Sequence, residues 1–550
     1  MVMAGLVLLV HRLVSLGEGY LIGSFDDDGV YAVLGKAIAE GKGYHSLHLV
    51  GNPVQVKYPP GWPAVLALLW RITGSADGLL RAVQWLNPLA VAVTAGLLWS
   101  RARRARQVEW GLGVLLILVP LLLHPVIQYT AIPLVEPWFM LGWAGALVLW
   151  ARSADLEGRR RALGLAATAL VIAVTVLFRS QAIVLVPAFG VALLLRRPGW
   201  KQSLVAIAVM LLPLVLWRAY HRGLIARGPL ADLPDEGAYA SWFAWDEAGG
   251  WGALAQSVGY NLRFYTMFTG GLLGTPGGIA GSAVVAVALL GMTLAAFWLV
   301  RREPFLALSV LGSLVLVMLW PWSQDRLLLS SLPFGGLLLL TALAPSLARL
   351  SARARRWVSV GALIGVSLVV FRQADIHRDV LTAAAEYRRP RMYTAGYQIL
   401  ENSRFIAQRG RWILTHSRRG EHVMIDRQAA VYLYTGRQTV PPSPSESRLA
   451  PSVFEAPGRY LASRILRDSV ALIILALPRP GIQRDIVTIL ASAPGRSPGP
   501  GLNPATHRTC TGSGVTRRAS PPSRPSPCGR RGGSRHHSHP RLVPSSFLPC

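Results

Sequence analysis

Apolar runs of membrane-spanning length recur along this chain, and no other feature restricts its fold as much. They lie at 3–22, 80–99, 110–128, 132–150, 163–178, 181–195, 202–221, 279–300, 305–321, 327–345 and 357–371. A helical span needs about 20 predominantly apolar residues to cross a hydrocarbon core about 30 Å thick. Only 15% of the 550 residues are charged, against about 25% in soluble domains. Inside lipid each backbone polar group must be satisfied within its own segment, so runs like these become helices. The expected fold class is an all-α polytopic membrane protein.

The formal net charge of +29 would suit a nucleic-acid binder, but the positions of the charges argue against it. Basic residues crowd the short loops 101–106, 152–161, 196–201, 301–303 and 349–356, as well as the C-terminal tail. Cytoplasmic loops of membrane proteins carry this excess. All five loops share one side only if 163–195 crosses twice, rather than forming one long tilted helix. Each Lys or Arg beside an anionic leaflet is worth about 1 kcal/mol, so the sum favours two crossings. The prediction is eleven crossings in the plasma (inner) membrane with a cytoplasmic N-terminus. Residues 23–79, 222–278 and everything after 372 then face outside. The first apolar segment is interrupted by His11-Arg12. It has no small-residue cleavage pattern and is expected to remain as an anchor.

Three regions follow. Residues 1–371 form the transmembrane region, with 23–79 as its first outer loop. Residues 372–492 should form a small α/β extracytoplasmic domain, since 422–426 and 470–475 read as short buried strands. From 493 to 550, Pro, Ser, Gly and Arg replace any apolar period, which predicts disorder or a frameshifted end. Cys510, Cys528 and Cys550 all lie in that tail, so the body has no thiol for a disulfide or a metal. In the 222–278 loop, Trp242, Trp245, Trp251, Tyr260, Phe264 and Tyr265 suit a headgroup belt or a substrate-facing lid.

The chemistry is concentrated in the first outer loop. Asp26, Asp27 and Asp28 follow directly on the first apolar run, with Tyr31 just beyond. Val30, Leu34, Ala37 and Ile38 recur at helical spacing, predicting a short interfacial helix. Residues 62–72 are too short to span and should lie along the interface. Lys57-Tyr58-Pro59-Pro60-Gly61 leads the chain back, and its prolines fix an extended approach. A carboxylate here can serve as a general base or hold a divalent metal. Neighbouring carboxylates and partial desolvation should raise one of their pKa values. His45 and His48 lack tight ligand spacing and are expected to be exposed. Lys57 in the first outer loop, Arg179 at the outer turn between two spans and Arg326 at an outer end lie near the outer face, where cations can stabilise an anion or simply snorkel. Glu136 falls within the outer part of a span, where an ionisable group is functional or paired.

Several motifs resemble the C-type glycosyltransferases, multi-pass enzymes that take sugar from a polyprenyl-phosphate donor. The likeness is to the branch of protein O-mannosyltransferases, aminoarabinose transferases and rhizobial core transferases. Asp27-Asp28-Gly29-Val30-Tyr31 matches that family's acidic pair in its first outer loop, and Asp26 is an extra acid. Ala37 to Tyr44, Tyr58-Pro59-Pro60-Gly61-Trp62-Pro63, Glu136-Pro137 and Asp325-Arg326-Leu327-Leu328 also resemble that branch. The resemblance spans residues 1–345 well, the outer domain loosely and the tail not at all.

It implies that Asp27 is the catalytic base, with Asp28 and Asp26 beside it. Tyr31, Lys57, Tyr58, Glu136, Arg179 and Arg326 would bind substrate. The partners implied are a polyprenyl-phosphate-sugar donor, an envelope glycan, lipid or protein acceptor, and the bilayer. No nucleic acid is implied, and no cofactor is required beyond an optional divalent metal. A transporter or flippase of a polyprenyl-linked glycan is the alternative. It predicts internal repeats and midplane charges, and the sequence shows neither. A polysaccharide polymerase or ligase would place its chemistry in a large late loop, whereas the acids here come early.

Overall fold

The computed structural model describes residues 2–15, 19–104, 110–228, 250–274, 279–321, 323–386, 388, 390–392, 394–440 and 470–474. All of them lie in the compact unit Met1–Cys510. The tail from 493, its cysteines, Trp242, Trp245 and most of the Pro/Ser-rich stretch after Val440 lie outside the described residues.

Each apolar run named above overlaps at least one helix among the described residues. Among the described residues, six helices are long and apolar enough to cross a membrane, or seven if one bent pair counts as a span. They are Ala76–Arg103, Gly158–Phe178, Trp200–Arg227, Ile279–Leu299, Asp325–Arg349 and Ala352–Ala385. Val2–Leu13, Ser180–Arg196 and Pro304–Leu319 are apolar but shorter. The chain is a helical polytopic membrane protein. The bent pair, Trp110–Leu121 and His124–Thr130, turns by 52°. A π-helical stretch, Val114–Leu118, precedes the bend, and Pro120 and Pro125 cannot donate to the helical ladder around it. Gly336 packs on this segment so closely that a Cβ would meet the Leu116 carbonyl oxygen at 1.7 Å.

The first helix, Val2–Ser15, has 14 residues, shorter than the run from 3 to 22. Its polar interruption is satisfied from within. His11 is fully buried, with Nε2 against the Leu121 carbonyl at 2.8 Å and Nδ1 against Thr130 Oγ1 at 3.1 Å. The Arg12 guanidinium donates to the Gln84 carbonyl and covers the Trp85 ring. Polar groups at membrane depth have to be paired in this way.

The basic loops gather at one end of the bundle. Arg101 pairs with Glu303 at 2.7 Å, Arg196 donates to the Arg302 carbonyl, and Gln202 Nε2 donates to the Gly158 carbonyl at 3.3 Å. The start of Gly158–Phe178 and the end of Leu185–Arg196 therefore lie together, and the chain doubles back near Arg179. There the backbone leaves the helix in an extended conformation, φ −145° and ψ 128°.

The 222–278 segment departs from its reading as a loop. Trp251–Leu273 is a helix, packed by Asn261 Nδ2 donating to the Trp320 and Met318 carbonyls at 2.7 and 2.9 Å. Its aromatic residues hid its apolar face. Trp251 is exposed on it, whereas Tyr265 is fully buried.

In the first outer segment, Asp27–Ala39 and Gly61–Thr73 form two short helices packed on each other. The first buries Val30, Leu34 and Ala37, as their spacing predicts. The second buries Trp62 and Leu66 and exposes Leu68 and Ile72. After the helix Ala395–His416, strand His422–Ile425 pairs in parallel with Thr439–Val440 on one side and Val470–Ile474 on the other. Helix Gln428–Thr435 makes the crossover. Ile413, Val423, Ile425 and Val431 form a small core of their own.

Candidate active site

At the end of the bundle away from the basic loops, a cleft is lined by Asp27, Tyr31, Lys57, Pro59, Arg179, Ser180, Gln181, Trp320, Gln324, Arg326 and Leu327. Five residues singled out from sequence thus share one cavity wall: Asp27, Tyr31, Lys57, Arg179 and Arg326.

Asp27 opens the helix Asp27–Ala39, where the helix dipole favours a carboxylate. Its side chain is 17% exposed, so it is open to the cleft but not to bulk solvent. The Tyr58 hydroxyl donates to Oδ1, and Arg326 Nη2 donates to Oδ2. The Tyr58 ring packs edge-on to Tyr31 at 5.0 Å. Burial by itself would raise the Asp27 pKa. Arg326 and then Lys57, with the hydrogen bonds from Tyr58 and Arg326, outweigh it and hold Asp27 down to about 2.

Asp28 is the raised carboxyl of the pair. It is fully buried and points away from the cleft. Oδ2 accepts from the Gly23 amide at 2.6 Å and Oδ1 from the Phe25 amide at 3.0 Å. Burial pushes it up to about 7, against the pull of those amides. The linkage signs are opposite. Ionised Asp27 contributes stability above the ordinary carboxylate range, near about pH 4, and loses it as pH falls toward about 2. Asp28 contributes below about pH 4 and loses it as pH rises through about 7. Asp26 points out of the cleft, exposed, and pairs with Arg427.

Glu136 begins the helix Glu136–Ala154 and is fully buried. Its Oε1 sits 2.7 Å from Arg179 Nη1 and 3.4 Å from Arg326 Nη1. It is the counter-charge behind two arginines that face the cleft. Gln324 Oε1 accepts from Arg326 Nε at 3.2 Å, and Gln181 Oε1 accepts from Arg179 Nε at 3.2 Å. Gln181, Gln324 and Trp320 were not picked out from sequence. For Gln181 and Gln324 the signal was position: each lies two residues from a cleft arginine.

Among the described residues, no group of three His, Cys, Asp or Glu is placed to hold a metal. His45 Nδ1 lies 2.8 Å from the Asn52 carbonyl. His48 is buried rather than exposed, and burial depresses its pKa to about 3. Its carbonyl takes the Thr439 amide at 2.7 Å, which draws the residue inward beneath the last domain.

No family model and no curated protein matches the chain. Among solved structures it is similar to ArnT from Cupriavidus metallidurans bound to undecaprenyl phosphate, at 16% identity and a TM-score of 0.50, covering 86% of this chain and 89% of that one. The apo crystal structure of the same protein aligns at 13% identity and a TM-score of 0.47, covering 85% and 88%. The first likeness concerns the fold. Along most of its length, the chain has the polytopic helical fold of that ArnT.

Proposed function

We propose that this protein is a membrane glycosyltransferase. It would move a sugar from a polyprenyl-phosphate carrier to an envelope acceptor at the extracytoplasmic face, with Asp27 as general base. The observation that carries the reading is the pairing of one cleft carboxylate, Asp27, with three cleft cations, Lys57, Arg179 and Arg326. A transferase of this kind needs a base for the incoming nucleophile and positive charge for the departing phosphate. The ArnT of similar fold was crystallised with undecaprenyl phosphate, which agrees with a polyprenyl carrier here. In this reading the N-terminus and the basic loops lie in the cytoplasm, and the cleft, at the opposite end of the bundle, would open outside.

In the proposed step, the acceptor's hydroxyl or amine gives its proton to Asp27. Its lone pair forms a bond to the anomeric carbon. The bond from that carbon to the phosphate oxygen breaks, and the electron pair leaves with the polyprenyl phosphate. Displacement in line inverts the anomeric centre. A carboxyl held near pH 2 is a weak base, so the resting pair must change when the donor arrives. The donor phosphate competes with Asp27 for Arg326, whose Nη1 is buried without a hydrogen-bond partner. Loss of that cation from Asp27 removes its strongest opposition to burial, and its basicity rises. Glu136 keeps both arginines in place while this exchange occurs.

The exchange predicts a pH effect. In wild type, kcat/KM should show no acid limb from Asp27 above about pH 4, because the free enzyme stays ionised. Arg326→Gln should lower kcat/KM and move the acid limb up into the range about 4–7, measured as a pH profile of transfer. An unchanged limb in that variant would remove Arg326 as the group that sets Asp27.

The function itself is tested by mass analysis of envelope glycans from cells lacking the protein. Loss of one sugar unit, restored by wild type and not by Asp27→Asn, is the expected result. An unaltered glycan set would exclude the transfer reading.

A further inference from the structure

The acidic loop is not held by the membrane helices alone. Among the described residues four non-glycine residues have positive φ: Asp26, Asn52, Arg197 and Arg427. Three of them meet where the first outer segment touches the C-terminal α/β segment. Asp26 sits at φ 80°, ψ −72°, a γ-turn conformation that side chains rarely adopt. Arg427, at φ 59°, ψ 45°, is left-handed and caps the helix Gln428–Thr435. The two side chains form an ion pair. Asn52 accepts from Gln438 Nε2 at 2.8 Å.

The seam around that pair is close and continuous. A Cβ on Gly23 would come 2.4 Å from the Ala430 Cβ. Asn402 Nδ2 donates to the Ser24 carbonyl at 2.7 Å, and the Ile22 amide donates to the Tyr434 hydroxyl at 3.1 Å. Strained backbone persists only where its surroundings over-determine it, and it collects at functional sites. Asp26 immediately precedes Asp27, so its backbone angles set where the Asp27 carboxylate points.

We propose that Arg427 is a positioning residue. By gripping Asp26 in its γ-turn it aims Asp27 into the cleft, which makes the C-terminal α/β segment a working part of the site. This rests on the transferase reading for its catalytic consequence but not for its geometry. Asp26 is 60% exposed in the pair and Arg427 17%, so its worth to stability lies between that of a surface pair and a buried one. Arg427→Lys and the exchanged pair keep the charges, which separates a role in aim from a role in folding.

The test uses the full chain in proteoliposomes, with Cys510, Cys528 and Cys550 replaced by Ser and Asp27→Cys as the sole thiol. The rate of labelling by an anionic methanethiosulfonate reads the aim of position 27. Arg427→Gln should change that rate severalfold, Arg427→Lys should keep it near the parent value, and the exchanged pair Asp26→Arg with Arg427→Asp should restore it. Should Arg427→Gln fail to fold, Asp26→Asn removes the same pair from its exposed side and should give the same change.

In the chain with Asp27 intact, Arg427→Gln should lower kcat about a hundredfold, as misplacement by about 1 Å does, with little change in KM for the carrier. An unchanged labelling rate, or an unchanged kcat in an active enzyme, would overturn the proposal. If wild type transfers no sugar at all, the transferase reading fails, and the labelling arm still decides the clasp.

Discussion

Asp27→Asn should reduce sugar transfer by about 10²–10⁴-fold, the range a positioned general base supplies. The amide is close in size to the carboxylate and can still accept from the Tyr58 hydroxyl, so membrane insertion should be retained, while the unfolding midpoint should fall by what the ionised carboxylate contributes. The amide cannot take a proton from the acceptor, and it leaves Arg326 without the partner it has at rest. Carrier binding should hold or tighten, because Arg326 is then free for phosphate. The check is a transfer rate beside an undecaprenyl phosphate affinity, measured on the same preparation. Full activity in the variant would exclude Asp27 as the base.

Glu136→Ala should be the most destabilising single change at the site, by about 3–5 kcal/mol. That is the typical cost of leaving buried charge uncompensated. Glu136 is fully buried between Arg179 and Arg326, whose side chains are 9% and 7% exposed. Removing it takes the shared counter-charge from two guanidinium groups in a low-dielectric pocket. Arg326 should then close more tightly on Asp27, so activity should fall beyond what lost stability explains. Thermal unfolding in detergent micelles would measure the first effect. A loss under about 1 kcal/mol would mean that Glu136 is not the counter-charge the geometry makes it.

Much of this site was legible in the chain because membranes make charge conspicuous. Arg179, Arg326 and Glu136 stand out in apolar surroundings, and an ionisable residue there has to be paired or used. That the two arginines converge with Asp27 on one cleft, with Glu136 behind them, follows from where spans end. Arg326 and Asp27 are 299 residues apart in sequence, yet both lie where a helix surfaces. The doubling back at Arg179 was legible from charge alone, since the basic loops had to share one side.

Other parts depended on tertiary contacts that leave no local period. Which of two adjacent aspartates is raised is set by the backbone turn at Asp26, which sends Asp28 inward to the Gly23 and Phe25 amides and Asp27 outward to Arg326. Nothing in Asp26-Asp27-Asp28 encodes that division. The helix Trp251–Leu273 was hidden because its Gly and aromatic content reads as a loop, while Asn261 and Tyr265 hold it against neighbouring segments. The contact of Arg427 with Asp26 joins distant parts of the chain and is visible only in three dimensions. Likewise His48 is polar by type and buried by its place under Thr439.

The most direct measurement of the whole account is transfer in proteoliposomes. Purified protein is reconstituted with radiolabelled polyprenyl-phosphate sugar and an envelope acceptor extract, and the label is followed between carrier and acceptor. The prediction is that wild type moves label into a new glycosidic bond and releases polyprenyl phosphate, while Asp27→Asn moves almost none. Label that crosses the bilayer still attached to its carrier, or that transfers equally well in Asp27→Asn, would contradict it.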